Sequence, residues 1–259
     1  MKALDLHPTA ASVFKTLLLT SLASVWLMLC GPLSAQTLAP LFAGTSDKPA
    51  PPWRVVGLPN SGKLLTRFDI VRLDGAQVLR ISADNAYANL VHELPALAVG
   101  AGTTLRWRWR LDQPLPLADL TRKSGDDVAV KVCAMFDLPL TQLGLIERNL
   151  LRLARSVSHD YLPAATLCYV WDNKLPVGTE LPNAFTHRVR YVVLNSGTAQ
   201  LKQWVTHERN LNADFLRTFG HESEGRVPPL MAILVGADSD TTDGSSLAYA
   251  SDLVLKTSP

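Results

Sequence analysis

Three groups of polar residues have the types and spacing that chemistry requires. Asp126 and Asp127 are adjacent, Trp171-Asp172-Asn173 puts an aromatic ring beside two polar side chains, and residues 238–244 read Asp-Ser-Asp-Thr-Thr-Asp-Gly. Carboxyl groups act as acids and bases or as metal ligands, and aromatic rings with a few polar groups line ligand sites. The candidate ligand-binding residues are therefore Asp126, Asp127, Trp171, Asp172 and Asn173.

The acidic loop is the candidate metal site. Its alternating oxygen-bearing side chains, with Asp238, Asp240 and Asp243 as the acids, are of the kind that wrap calcium. It is not a helix-loop-helix calcium site, because Asp243 stands where that motif needs glycine and Tyr249 where it needs a glutamate. The same residue types make turns between strands, so a cofactor-free turn is the alternative.

Asp126 and Asp127 also allow two interpretations. They are a candidate acid and base, but adjacent strand residues point to opposite faces, so a pair would require the chain to bend there. Alternatively, Asp127 shares one strand face with Lys131 and forms an ion pair across the sheet. No catalytic residue can be assigned, because the G-x-S-x-G elbow of esterases and paired histidines at zinc-ligand spacing are both missing from the sequence.

The elements that must position these residues are mostly short strands. Alternation is clearest in Leu105–Leu111, where Trp107 and Trp109 share one face with leucines and three arginines occupy the other. We expect the tryptophans to lie in the core and the arginines to pair with acids. Similar segments predict a mainly β protein, an antiparallel β-sandwich or jelly roll: residues 63–73, 77–82, 104–111, 128–136, 166–171, 189–194, 230–235 and 248–255.

One interval has helical spacing instead. Residues 141–158 place leucines, isoleucine and valine on one side and three arginines on the other, which predicts one amphipathic helix inserted between strands. Its basic face is either simply solvated or contacts lipid headgroups or a partner protein.

The N-terminus predicts export. Two lysines precede an apolar run from Thr16 to Cys30 and a small-residue site ending at Ala35, the layout of a signal peptide of residues 1–35. A Pro- and Ala-rich linker of residues 36–52 then leads into one domain of residues 53–259. The expected location is the periplasm, with no membrane span after cleavage. There, Cys133 and Cys168 either form a disulfide or remain buried thiols.

The charge balance excludes some partners. The formal net charge is +2, and removal of the signal peptide leaves +1. Nothing in this balance indicates nucleic acid or an anionic membrane surface as a partner.

A set of segments, taken in order along the chain, carries a resemblance to a known family: Gly125–Phe136, Leu167–Asp172, Pro182–Thr186, Trp204, Asp214-Phe215, Phe219-Gly220 and Ala237–Thr241. Together these segments resemble the bacterial domain-of-unknown-function 3047 family. The resemblance extends from about Trp53 to Leu255, and the family brings no established activity. It implies an exported β-sandwich whose last strands are similar to the jelly rolls of carbohydrate-binding modules, by analogy of fold. One departure is Thr241, where the family pattern suggests asparagine.

Three functions follow as hypotheses. The first is a non-catalytic module that binds a glycan or another cell-envelope component on a sheet face or on the loops beside Asp126 and Asp238. The second is a glycan-cleaving hydrolase or lyase that uses two of the aspartates as acid and base. The third is an envelope scaffold that docks a partner protein through the helix of residues 141–158.

Overall fold

The computed structural model describes residues 38–58, 61–158 and 162–257, which form twelve β-strands and two α-helices. The predicted signal peptide lies outside the described residues. In chain order the elements are β1 (Arg54–Val56), β2 (Arg67–Leu73), β3 (Ala76–Asp84), β4 (Tyr87–Leu97), β5 (Thr104–Gln113), β6 (Val128–Phe136), α1 (Leu145–Val157), β7 (Ala165–Asp172), β8 (Glu180–Pro182), β9 (Val189–Ser196), β10 (Val205–Asn210), α2 (Leu211–Phe219), β11 (Leu230–Asp238) and β12 (Ser245–Lys256).

The strands make two sheets that pack as a β-sandwich of the jelly-roll class. Seven strands follow the order β1-β4-β11-β6-β7-β9-β8, and five follow the order β10-β5-β12-β3-β2. Neighbouring strands are antiparallel except β7 and β9, which are parallel. The predicted mainly β sandwich with an inserted amphipathic helix is therefore confirmed.

The main core lies between the inner faces of the two sheets. Trp107 and Trp109 of β5 are fully buried there, and their rings pack edge to face with centroids 5.6 Å apart. On the other face of β5, Arg108 pairs with Asp252 at 2.7 Å and Arg110 with Asp74 at 3.0 Å. The predicted core tryptophans and arginine ion pairs of this strand are thus confirmed.

The outer face of the seven-stranded sheet carries a second, smaller apolar cluster. It forms where the loops before β6 and after β7 fold over the sheet. Cys133 of β6 and Cys168 of β7 are directly opposed in this cluster and are joined by a disulfide. The other buried members are Val91, Leu120, Val128, Val170, Tyr191, Val193, Ala232 and Leu234.

The described part of the predicted linker is packed against the sandwich. Leu38 and Leu41 are buried in the main core. The backbone N–H of Ala39 donates to Nε2 of His92, and its carbonyl accepts from the indole N–H of Trp53. Residues 38–52 therefore belong to the folded domain and do not act as a free tether.

Helix α2 was not expected from the sequence. Leu211, Phe215 and Phe219 recur every fourth residue and are fully buried, and the Asn210 side chain caps the helix by accepting from the N–H of Ala213. Asp214 ties the helix to the sheet, because it accepts from the Tyr169 hydroxyl at 2.7 Å as well as from arginine side chains.

Helix α1 has the predicted position but the opposite orientation. Four of its large apolar side chains are exposed, whereas Leu151 packs against the main core, and Arg148 and Arg155 turn inward to backbone carbonyl oxygens. We had expected the basic face to be the exposed one. None of the described helices is both long and apolar enough to cross a bilayer.

Candidate functional site

A buried ion pair marks the outer face of the seven-stranded sheet. Lys131 lies on β6, and its Nζ is 2.9 Å from Oδ1 of Asp238 at the end of the neighbouring strand β11. Both side chains are less than a tenth exposed. Lys131 also lies over the ring of Tyr87, with Nζ 5.1 Å from the ring centroid, which adds a cation–π attraction.

The surroundings alter the proton affinities of this pair. Burial raises the pKa of Asp238 to about 6, with a contribution from the negative charges of Asp126 and Asp127, although the Lys131 ammonium opposes the rise. Burial alone would lower the pKa of Lys131, but the attraction of Asp238 outweighs it and the pKa is raised. Lys131 therefore stays protonated.

Asp126 joins the same cluster from the loop before β6. It is 8% exposed, and its Oδ2 accepts from the Asn183 amide at 2.5 Å. That amide also donates to the Tyr191 hydroxyl at 3.0 Å, and the hydroxyl lies 3.4 Å from Oδ1 of Asp126. Burial raises the pKa of Asp126 despite these hydrogen bonds. We call Asp126, Lys131, Asn183, Tyr191 and Asp238 the polar cluster.

Gly236 makes room for the polar cluster. It lies between Asn89 of β4 and Lys131 of β6 in the sheet register. A Cβ at this position would collide with Oδ1 of Asn89 and come within 3.1 Å of Cε of Lys131. Asn89 donates to the Tyr87 hydroxyl at 3.1 Å, while its buried Oδ1 has no hydrogen-bond partner among the described residues.

An apolar groove lies on the same sheet face. Met135 is four residues beyond Lys131 on β6, and Ala232 is four before Gly236 on β11, so both share the outer face. They line a cavity of about 270 Å³, together with Val56 and Val91. The ion pair of Arg54 and Glu93, 2.5 Å between Nη2 and Oε1, borders it. A polar and an apolar subsite thus stand side by side, joined through Asn89 and Val91 of β4.

The candidate ligand-binding residue Asp127 and the remaining acids of the predicted metal site, Asp240 and Asp243, have other contacts. Asp127 is 1% exposed and accepts from the N–H groups of Thr241 and Thr242 at 3.0 and 2.7 Å, which anchors the acidic loop. Asp240 lies 3.5 Å from Nζ of Lys63. Asp243 is exposed in the turn, with φ of 50°. Among the described residues, no three His, Cys, Asp or Glu side chains are grouped as metal ligands.

The second predicted group, Trp171-Asp172-Asn173, is not brought to the polar cluster. Trp171 is buried in the main core and donates from its indole N–H to the Gly197 carbonyl at 3.0 Å. Asp172 accepts from two backbone N–H groups of the next turn. The Asn173 amide donates to the Leu115 carbonyl. All three side chains have structural contacts on these elements.

Two features of the site were missed from sequence. The predicted ion pair of Lys131 across the sheet is confirmed, but its partner Asp238, 107 residues away in sequence, was not identified. A lone charge within the apolar run Val128–Phe136 was the available signal, because a charged residue is almost never buried without a partner. Asn89 and Gly236 gave no such signal, since only the register of the sheet brings them next to Lys131.

Comparison with solved structures finds remote similarities. One is the K3 cleaved adhesin domain of Lys-gingipain from Porphyromonas gingivalis, at 10% identity and a TM-score of 0.38 over 86% of this chain and 100% of that one. Others are a cellulose induced protein (13%, 0.37, 80% and 91%) and the Trichoderma harzianum endoglucanase 3 of family GH12 (8%, 0.35, 82% and 99%). Similarity this low carries no argument about function.

The family comparison is more informative. No curated protein matches this chain. The family described as "Protein of unknown function (DUF3047)" matches residues 51–254, which include β1 to β11, all but the last two residues of β12, and the whole polar cluster. That range agrees with the resemblance noted in the sequence. The chain belongs to the DUF3047 family.

Proposed function

We propose that the protein is a non-catalytic binding module that holds a glycan or another cell-envelope component on the outer face of its seven-stranded sheet. The observation that carries this proposal is the polar cluster beside the apolar groove on one face. Ligand sites are typically apolar surfaces with a few fixed polar groups. Sugars present both kinds of surface, hydroxyl groups and apolar ring faces, in one molecule.

Rigid positioning supports binding in particular. Asp126 and Lys131 are held by neighbouring side chains. Lys131 and Asn89 lie on the two strands that flank β11 in one sheet. Polar groups fixed in this way lose little entropy when a ligand binds. Asn89 and the half-buried Tyr87 are the members of this region that a ligand reaches first.

Export from the cytoplasm is part of the proposal. The N-terminal sequence has the layout of a signal peptide. The disulfide between Cys133 and Cys168 supports an oxidising compartment such as the periplasm, because such bonds are rare in the cytosol. Fractionation should recover the chain from the periplasm with a new N-terminus at Gln36.

One observation favours catalysis as a second candidate. Burial raises the pKa of both Asp126 and Asp238, as in enzymes that keep a carboxylic acid protonated near neutral pH. A glycan-cleaving hydrolase or lyase would release reducing ends, and Asp126→Asn or Asp238→Asn would abolish that release. Against this, Lys131 already occupies Asp238 through a direct ion pair, which suits a structural or binding role better.

A thermal-shift screen tests the binding proposal. The chain from Gln36 to Pro259 is titrated with muropeptides, lipopolysaccharide core oligosaccharides and capsular oligosaccharides, each with calcium and with chelator. A ligand at 100 times its Kd adds about 2.7 kcal/mol to stability, which raises the Tm of a domain this size by roughly 5 to 10 °C. Calcium dependence would indicate the acidic loop. No shift with any glycan would contradict the proposal.

A matched pair of variants locates the effect. Tyr87→Phe removes a hydroxyl beside Asn89 on the proposed binding face. Tyr249→Phe removes the same group from the outer face of the five-stranded sheet, where Tyr249 packs near Arg110. We expect the first variant to weaken glycan binding and the second to leave it unchanged.

A further inference from the structure

Helix α1 presents four large apolar side chains to solvent. Leu145, Ile146, Leu150 and Leu153 are 73, 78, 62 and 64% exposed. Their spacing puts all four on one side of the helix, which we call the apolar face of α1. A contiguous apolar patch on a helix is a mark of an interaction surface, unlike scattered single residues.

The orientation of α1 is fixed by its polar side. Arg148 donates to the carbonyl oxygens of Leu140, Thr141 and Leu143 at 2.9 to 3.0 Å. Arg155 donates to the Leu162 carbonyl at 2.7 Å on the other side of the helix end. Because these guanidinium groups hold the helix against its own connecting segments, the apolar face must point away from the sandwich.

A second contact holds the first turn of the helix. Glu147 pairs with Arg188 at 3.4 Å, and Arg188 pairs in turn with Glu222 at 2.6 Å, beyond the end of α2. Helix α1 is therefore tied to two other parts of the fold through charged groups. Its outward orientation is a property of the packed domain.

The size of the apolar face decides between kinds of partner. A stable protein interface engages roughly 20 to 30 residues on each side. Four apolar side chains on a single helix are far fewer. A second copy or a protein partner would therefore bury too little apolar surface there for a stable complex. One amphipathic helix with an exposed arginine beside its apolar face is by contrast sufficient for a membrane interface, where it enters roughly 5 to 10 Å into the headgroup boundary.

The charge of α1 favours an anionic surface. Of the three arginines of the helix, Arg148 and Arg155 turn inward to backbone carbonyl oxygens, and Arg152 is the one on the exposed side. The single acid of the helix, Glu147, is paired with Arg188. Arg152 is exposed beside the apolar face. In that position an arginine can extend its guanidinium to lipid phosphates while the leucines enter the acyl region.

We propose that α1 docks the domain on the surface of an anionic lipid bilayer, with Leu145, Ile146, Leu150 and Leu153 inserted at the level of the headgroups. Such attachment is peripheral and reversible. It would hold the sheet face of the proposed binding module close to a membrane, but it rests on α1 alone and does not require glycan binding.

Vesicle sedimentation of the chain from Gln36 to Pro259 tests the proposal. Two vesicle types are used, phosphatidylcholine alone and phosphatidylcholine with about a third phosphatidylglycerol. The double variant Ile146→Gln/Leu150→Gln should lower the partition coefficient for the anionic vesicles by about a hundredfold, since each large apolar side chain contributes at least about tenfold. Glutamine keeps the helix propensity of leucine, so the fold should persist.

A control variant removes as much exposed apolar surface elsewhere. Leu117 and Val177 are 72 and 64% exposed in loops outside α1, and Leu117→Gln/Val177→Gln should bind vesicles like the unchanged chain. Unchanged Tm values show that both variants are folded. The proposal is overturned if the unchanged chain does not bind anionic vesicles, or if both variants lose binding equally. A concentration-dependent dimer that only the α1 variant dissolves, without vesicle binding, would overturn it in favour of a second copy.

Discussion

At the scale of single residues, Lys131 organises the polar cluster. Its ammonium group neutralises Asp238 and lies over the ring of Tyr87, and its side chain passes next to Gly236. Residues of β4, β6 and β11 therefore meet at this side chain. The free energy needed to remove two charges from water is about as large as the free energy gained from their attraction. A buried pair of this kind is therefore better explained by what the face binds than by what it adds to stability.

Removal of one partner of this pair should be costly. Lys131→Met keeps the length of the side chain but leaves Asp238 buried without its cation, and we expect a loss of about 3 to 5 kcal/mol in the free energy of unfolding near pH 7.5. The loss should shrink as the pH falls to 5, because the raised pKa of Asp238 lets it become neutral in the folded state. Urea denaturation at several pH values measures this.

The double variant Lys131→Met/Asp238→Asn is the control for that experiment. With no charge left unpaired, it should recover most of the loss and show little of the pH dependence. Equal losses in the single and double variants would mean that packing, not charge, sets the cost.

His207 should make stability depend on pH in the opposite sense. Burial, and then the charge of Arg209, lower its pKa to about 4, while the unfolded chain keeps about 6.5. The unfolded state therefore binds the extra proton first, so this contribution to stability is present above pH 6.5 and is lost as the pH falls toward 4. We expect about 1 to 2 kcal/mol, after allowing for solvent around a half-buried ring.

The difference between the unchanged chain and His207→Gln isolates this effect, because all other titrating groups are common to both. His207 contacts Oδ1 of Asn195 at 2.7 Å, which glutamine can still reach with a donor. A difference in the free energy of unfolding that stays constant between pH 7 and 4 would show that His207 does not titrate in this way.

At the scale of elements, the disulfide ties β6 to β7 and closes the segment that contains α1. Cys133 and Cys168 are 35 residues apart in sequence. Closing a loop of that length removes unfolded-chain entropy equivalent to roughly 4 kcal/mol at 25 °C. Reductant should therefore lower the free energy of unfolding by about that amount. Cys133→Ala/Cys168→Ala should be insensitive to reductant; if it responds as the unchanged chain does, the reductant acts elsewhere.

Strands were predictable where alternation was clean. The paired tryptophans of β5 and the apolar runs of β6 and β7 gave their faces directly, because side chains alternate across a strand. Strand β4 was missed, since Pro95 interrupts it and His92 and Glu93 obscure its pattern. The orientation of α1 could not be predicted from the sequence either. A helical pattern shows which side is apolar, but not that Arg148 and Arg155 would find carbonyl oxygens inward.

At the scale of the whole molecule, the candidate site depends on sheet register. Asp126 and Asp238 were recognisable as candidates in the sequence, but their proximity to Lys131 and Tyr191 requires β6, β11 and β9 to lie in one sheet. Local residue types cannot reveal such long-range pairing. The same architecture separates the two proposed surfaces, since glycan binding uses the outer sheet face and lipid docking uses a helix in the β6–β7 connection.

The most direct test of the central claim is a two-dimensional NMR titration of the chain from Gln36 to Pro259 with muropeptides, lipopolysaccharide core oligosaccharides and capsular oligosaccharides. We expect one glycan class to shift the backbone amides of Asn89, Lys131 and Gly236, together with those along the groove to Met135, and to leave the outer face of the five-stranded sheet unchanged. Shifts confined to that other face, or no shift with any of the glycans, would contradict a binding site on the outer face of the seven-stranded sheet.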